Sequence, residues 1–161
     1  MTDSPSGATS APSAGPTPAE LIVEADGGSR GNPGVAAGGA VVIDAATGAV
    51  LAEIGVDVGI ASNNVAEYSG LIAGLRAAFE IAPSARVRVR MDSKLVVEQV
   101  SGRWKIKHPA MQQLAREARE VIAGRPVQLE WVPRADNARA DAVANEAMDR
   151  RESFRRDLTV H

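Results

Sequence analysis

The chain has 161 residues, 45% of them hydrophobic and 24% charged, which is enough for one globular domain with a single sizeable core. Its 20 Asp+Glu against 18 Lys+Arg leave a net charge of −2, which excludes a polybasic protein that grips nucleic acid through bulk charge but not a local basic patch. It has no cysteine and only two histidines, His108 and His161, so disulfides and thiolate sites are excluded and any metal ligands must be carboxylates.

Residues 1–18 are built from Ser, Thr, Ala, Gly and Pro, with Asp3 the one charge. Such a segment cannot bury enough surface to offset its ordering entropy, so a disordered tail is expected. It lacks the basic and apolar regions of a secretory signal, and no later run is long enough to span a bilayer. A soluble, cytoplasmic protein is the expectation, with a folded domain over 19–150 and a polar tail over 151–161.

Leu21 to Asp26 reads as a strand ending in an acid, and Gly27 to Gly34 as a glycine-rich turn. Gly38–Asp44 and Ala49–Val58 are two further strand-like runs joined by a short hairpin connection. Ser62 to Ala82 carries the clearest helical period, with Ser62, Asn63 and Asn64 as caps and Pro83 as the stop. Arg86–Met91 alternates basic and apolar residues as a strand, and Asp92 follows at once. Helices are expected over Ser93–Val100, Ala110–Ala123 and Asp136–Arg150, with a strand over Val127–Val132. The order β-β-β-α-β-α-α-β-α is that of an α/β fold, a mixed sheet with an antiparallel meander first and helices covering it.

Four acids occupy places where a ligand site forms. Asp26 and Asp92 end strands, and ligand sites in α/β sheets gather at the carboxyl ends of strands. Glu67 and Asp141 lie early in helices that can pack over those ends. Four clustered carboxylates repel and raise one another's pKa values unless cations neutralise them, and a hard cation such as Mg²⁺ suits an all-oxygen set. Each acid also has a structural use. Glu67 and Asp141 complement helix dipoles, Asp92 can cap a helix, and Asp26 can bond the amides of its turn.

Four short motifs add specificity. Asp26-Gly27-Gly28-Ser29-Arg30-Gly31-Asn32-Pro33-Gly34, Ser62-Asn63-Asn64-Val65-Ala66-Glu67, Met91-Asp92-Ser93 and Asn137-Ala138-Arg139-Ala140-Asp141 resemble, in order, four motifs of the type I ribonuclease H family. The resemblance runs from about Leu21 to Arg150. It implies a five-stranded mixed sheet, the first three strands antiparallel, flanked by helices. It also implies a catalytic and metal-binding quartet of Asp26, Glu67, Asp92 and Asp141, holding two Mg²⁺ (or Mn²⁺) ions. The implied activity is hydrolysis of the RNA strand of RNA–DNA hybrids, leaving 5′-phosphate and 3′-hydroxyl ends. A monomer with no membrane partner is expected.

Candidate substrate contacts follow from the same motifs. The 2′-hydroxyls of one strand mark a hybrid, and amides both donate to and accept from them. Asn32, Asn63, Asn64 and Asn137 stand beside the acids, with Ser62 at a helix start and Gly27 and Gly28 allowing close backbone approach. Lys94 stands where the family often has Gln. Residues 86–107 collect seven basic side chains against Asp92 and Glu98, with Trp104 set among Arg103, Lys105 and Lys107. That run suits a DNA strand, although Trp104 could equally pack against the next helix. The chain passes directly from Gly102 to Pro109, like family members without the long basic handle. The loop after the last strand carries Arg134 and no histidine, where the family has a mobile histidine. The rival readings are another nuclease on the same fold and a non-catalytic hybrid-binding module.

Overall fold

A computed structural model describes residues 17–158. The expected tail over 1–18 lies outside the described residues except for Thr17 and Pro18.

The strands are β1 (Glu20–Arg30), β2 (Gly34–Asp44), β3 (Val50–Ala61), β4 (Arg86–Met91), β5 (Val127–Trp131) and β6 (Phe154–Asp157). The helices are α1 (Asn63–Ile81), α2 (Lys94–Val100), α3 (Pro109–Ile122) and α4 (Ala138–Arg150), with a short 3₁₀ turn over Arg134–Asn137. All six strands form one sheet in the order β5-β4-β1-β2-β3-β6. The β1–β2, β2–β3 and β3–β6 pairs are antiparallel, and β1–β4 and β4–β5 are parallel. The mixed sheet with its antiparallel meander is therefore as expected.

Two expectations are corrected. The run Gly27–Arg30 is not part of a turn, because β1 continues through it and pairs residue by residue with Val35–Gly38 of β2. Gly27 and the β2 glycines Gly38 and Gly39 are needed because helices touch the sheet at backbone distance. A Cβ on Gly27 would fall 2.2 Å from the Ala66 carbonyl carbon of α1, and one on Gly38 would fall 2.5 Å from the Gly70 nitrogen. On the opposite face, a Cβ on Gly39 would fall 2.4 Å from the Ala144 nitrogen of α4. Adjacent residues of a strand point to opposite faces, so α1 and α4 clamp the centre of the sheet from both sides.

The second correction concerns the polar tail expected over 151–161. Residues 154–157 instead form a sixth strand on the edge of β3. The Phe154 ring covers Gly55 and lies between the guanidinium groups of Arg150 and Arg156, 4.5 and 4.6 Å from its centre. Arg156 also pairs with Glu53 and Glu146 at 2.9 and 2.7 Å.

The main core lies on the α1 side. Leu21, Val23, Val87, Val89 and Met91 of the sheet meet Tyr68, Leu71 and Leu75 of α1, with α2 and α3 closing the cluster. Tyr68 is fully buried, and its hydroxyl donates to Gln99 Oε1 at 2.8 Å. The α4 side is smaller. Val143 packs on Val41 and Ile43, and Ala144, Ala147 and Met148 pack around Ala37. Arg88 and Arg90 are half-buried and paired across the strands with Glu20, Glu24 and Glu130. Among the described residues no helix is long and apolar enough to cross a membrane.

Candidate active site

The backbone contact of Gly27 with α1 has a direct chemical result. It sets the first turns of α1 against β1 just after Asp26, so Glu67 enters the same cleft, where Ser93 and Asp92 face it. The parallel pairing of β1 and β4 ends at Ala25 and Met91, so Asp26 and Asp92 stand side by side just past it, Asp26 still paired with β2. On the other face, α4 brings Asp141 within hydrogen-bonding reach of Asp26. All four acids line one open cleft of about 790 Å³, together with Gly27, Gly28, Asn63, Asn64, Lys94 and Arg134.

The charges in the cleft are unbalanced. Asp26 is pushed up to about 8, first by burial and next by the charge of Asp92. The Gly27 amide opposes this, while Asp141 adds to it by hydrogen bond and by charge. Glu67 is pushed up to about 7 by burial and by Asp92, against a hydrogen bond from Ser93. A carboxylate cluster in this condition either holds protons or takes up cations.

Among the described residues, no three acids or histidines close on one point as a preformed metal cage. That is compatible with Mg²⁺, which keeps much of its water and is held by one or two carboxylates plus substrate phosphates. The donor set is all oxygen, and its surplus negative charge is what a divalent cation neutralises. The residues therefore fit the ions implied by the sequence.

The asparagines divide into two kinds. Asn63 Oδ1 accepts from the Ser29 amide at 2.8 Å, and Asn32 Oδ1 accepts from the Asn63 amide at 3.0 Å. These two bonds tie the last residues of β1 and the turn after it to the start of α1. Both side-chain NH₂ groups are left without a protein partner among the described residues. Ser62 caps α1 by accepting from the Val65 amide at 3.3 Å, which leaves its hydroxyl proton free. Capping and outward donation are thus compatible at all three residues.

Asn137 behaves differently, and its expected contact with substrate is corrected. Its side chain is only 1% exposed and is turned into the protein. Nδ2 donates to the Ala25 carbonyl at 2.9 Å and to Asp92 Oδ1 at 3.2 Å. Its Oδ1 is buried without a partner among the described residues. The 3₁₀ turn puts Asn137 under the cleft rather than in it, so it holds Asp92 instead of facing ligand.

The basic run stands apart from the acids. Trp104, 44% exposed, is not packed away, and with Lys105 it lines a separate groove of about 550 Å³ against α3. Arg116 and Arg119 line the same groove. Lys107 is exposed and borders neither cavity. Arg103 is paired with Glu98, and His108 Nδ1 accepts from the Ala110 amide at 3.1 Å to cap α3.

Among the cleft residues that the sequence did not single out are Trp131, Arg30 and Asn145. Trp131 had a readable signal. It ends the strand that pairs with β4, and Met91 is its partner in register, one residue before Asp92. The rule that sites gather at strand ends points to it as well. Arg30 and Asn145 had no such signal. They are joined by a contact across 115 residues of chain.

Comparison with known proteins agrees with this geometry. A family model described as "Reverse transcriptase-like" matches residues 24–147. A bifunctional protein of Mycobacterium tuberculosis is 54% identical over 131 residues, which are 81% of this chain but 36% of that protein. The chain thus spans about a third of the length of that curated relative. The N-terminal RNase H domain of the same protein, solved as a fusion with maltose-binding protein, superposes with a TM-score of 0.78 at 52% identity, covering 83% of this chain and 96% of that one. RNase H1 of the halophilic archaeon Halobacterium salinarum superposes at 0.76 with 42% identity, over 81% and 98% of the two chains. LC11-RNase H1, solved in complex with an RNA/DNA hybrid, superposes at 0.75 with 36% identity, over 81% and 97%. The family match covers most of the chain, and these relatives place it: the chain belongs to the type I ribonuclease H family.

Proposed function

We propose that the chain is an endonuclease that hydrolyses the RNA strand of RNA–DNA hybrids, with divalent cations, two Mg²⁺ or Mn²⁺, held by Asp26, Glu67, Asp92 and Asp141. The carrying observation is the convergence of four carboxylates on one cleft, with Asp26 and Glu67 pushed up to about 8 and 7. The hybrid complex of LC11-RNase H1 supports the substrate class. Cations bound there supply a polarised water for attack on phosphorus and neutralise charge at the leaving 3′-oxygen, which yields 5′-phosphate and 3′-hydroxyl ends.

The chain's own residues bind and orient the strand. Asn32 and Asn63 spend their carbonyl oxygens on the protein and offer NH₂ donors to 2′-hydroxyls or phosphate oxygens. Asn64 and the Ser62 hydroxyl extend this donor row at the N-terminus of α1, where the helix dipole favours phosphate. Gly27 and Gly28 leave the cleft floor open. Lys94 and Arg134 bring positive charge to the rim, and Arg134 approaches the scissile phosphate in place of a loop histidine. Trp104, Lys105 and Lys107 hold the DNA strand by stacking and charge. A monomer acting in the cytoplasm, with residues 19–150 as the catalytic domain and β6 closing its edge, completes the reading.

The test is a labelled hybrid incubated with Mg²⁺ or with EDTA, beside double-stranded DNA and double-stranded RNA. Metal-dependent loss of the RNA strand of the hybrid alone is expected. Cutting of double-stranded DNA assigns the chain to another nuclease class. Hybrid binding without cutting assigns it to a binding module.

A further inference from the structure

Trp131 is a large aromatic residue that the core does not use. By strand alternation it lies on the same face of β5 as Val127 and Leu129, both of which pack on the main cluster. Trp131 lies beyond the end of that cluster, where the cleft opens, and it remains 49% exposed. Its position is nevertheless fixed. The indole N–H donates to the main-chain carbonyl of Asp92 at 3.2 Å, and the next amide, Val132, donates to the Met91 carbonyl at 2.8 Å. The one polar atom of the side chain is thus turned inward, and the ring is presented to the cleft. Lys94 Nζ stands 5.9 Å from the ring centre.

A half-exposed aromatic plate with an ammonium beside it has the chemistry of a stacking platform for a nucleotide. We propose that Trp131 stacks on a base or ribose of the RNA strand adjoining the scissile phosphate, and that Lys94 takes the phosphate next to it. The assignment rests on the hybrid-cleaving function above. The strand is fixed by location, because the ring is anchored on Asp92, whereas Trp104 lines a different groove. Trp131 and Lys94 therefore set how tightly the cut strand is held.

Two variants separate stacking from a merely structural role. Trp131→Phe keeps an aromatic plane, Trp131→Leu keeps apolar bulk, and both lose the bond to Asp92. Stacking predicts that the Phe variant keeps its hybrid KM within about threefold, while the Leu variant raises KM about tenfold with kcat little changed. Equal loss of kcat in both variants, or an unchanged KM in the Leu variant, overturns the assignment. A direct readout uses the small tryptophan count of two. In a Trp104→Phe background, Trp131 is the sole tryptophan, and its fluorescence is expected to be quenched as RNA–DNA hybrid is titrated in EDTA. Unchanged emission at saturating hybrid overturns the assignment. If the unmutated protein cleaves no hybrid, the functional reading itself falls. If it cleaves and the Leu variant keeps its KM, only the role of Trp131 falls.

Discussion

Asn137 donates its side-chain amide to the Asp92 carboxylate at 3.2 Å from beneath the cleft, while the same nitrogen holds β1 through the carbonyl of Ala25, the residue before Asp26. One buried residue thus ties Asp92 to the stretch of β1 that carries Asp26. Groups that orient metal-binding carboxylates have effects of about 10–100-fold on metal affinity or activity when removed. Asn137→Ala is expected to lower kcat in that range and to raise the Mg²⁺ concentration needed for half-maximal rate. Hybrid binding should change little, because the side chain does not face the cleft. Steady-state kinetics across a Mg²⁺ titration checks this, and an unchanged Mg²⁺ requirement counts against it.

The raised acids make stability depend on pH and metal together. A carboxyl whose pKa rises on folding, as for Asp26 to about 8 and Glu67 to about 7, is protonated more in the folded state than in the unfolded state at intermediate pH. Stability therefore falls as pH rises from about 4 through about 8. Without metal, thermal melting should occur at lower temperature at pH 8 than at pH 5.5. Adding Mg²⁺ should raise the melting temperature more at pH 8, because cations compete with protons for the same oxygens. Stabilisation of about 1 kcal/mol corresponds to roughly 2–4 °C for a domain of this size. Melting curves at both pH values, with Mg²⁺ and with EDTA, measure it.

The glycines under α1 should be intolerant in proportion to what they touch. Gly27→Ala places a Cβ 2.2 Å from helix backbone and should cost about 3 kcal/mol or more, while also displacing Glu67, whose amide nitrogen would be 2.3 Å from it. Gly48, at φ +78° with nothing within 4 Å, should lose only about 1 kcal/mol when changed to Ala, from backbone strain alone. Urea denaturation of the two variants gives the comparison.

Phe154 is predicted to hold β6 in place. Phe154→Ala removes the ring covering Gly55 and the surface against which Arg150 and Arg156 lie, and should cost about 2 kcal/mol for a partly buried aromatic. The cleft acids lie elsewhere on the sheet, so activity at a temperature well below melting should be retained. Melting temperature and specific activity, measured together, test both halves.

Arg134 should act on turnover more than on binding. Arg134→Ala is expected to lower kcat about tenfold or more, the scale of a lost charge contact to a reacting phosphate, with hybrid affinity nearly unchanged. Unchanged turnover at saturating substrate removes Arg134 from the chemistry.

Much of this was legible because the informative residues sit at element boundaries. Ser62 reads as a cap and is one, and Asp92 follows the alternation of β4 directly. What escaped depends on contacts remote in sequence. The glycines after Asp26 read as a turn because glycine runs commonly are, and only the approach of the α1 backbone explains Gly27 in a strand. The β6 strand has a polar sequence whose partners lie far away, Arg156 bonding Glu53 across 103 residues. Asn137 was recognisable as a motif residue, but whether it faced ligand or Asp92 depends on the 3₁₀ turn that carries it.

The central claim is that Asp92 belongs to the cation-holding quartet of a ribonuclease H site. Asp92→Asn keeps the side-chain shape and an acceptor for Asn137 but removes the charge. With a labelled hybrid and Mg²⁺, the unmutated chain should cut the RNA strand alone, and the Asn variant should cut at least about 1,000-fold more slowly while binding hybrid within about threefold. Cleavage by the variant at the unmutated rate would contradict the account.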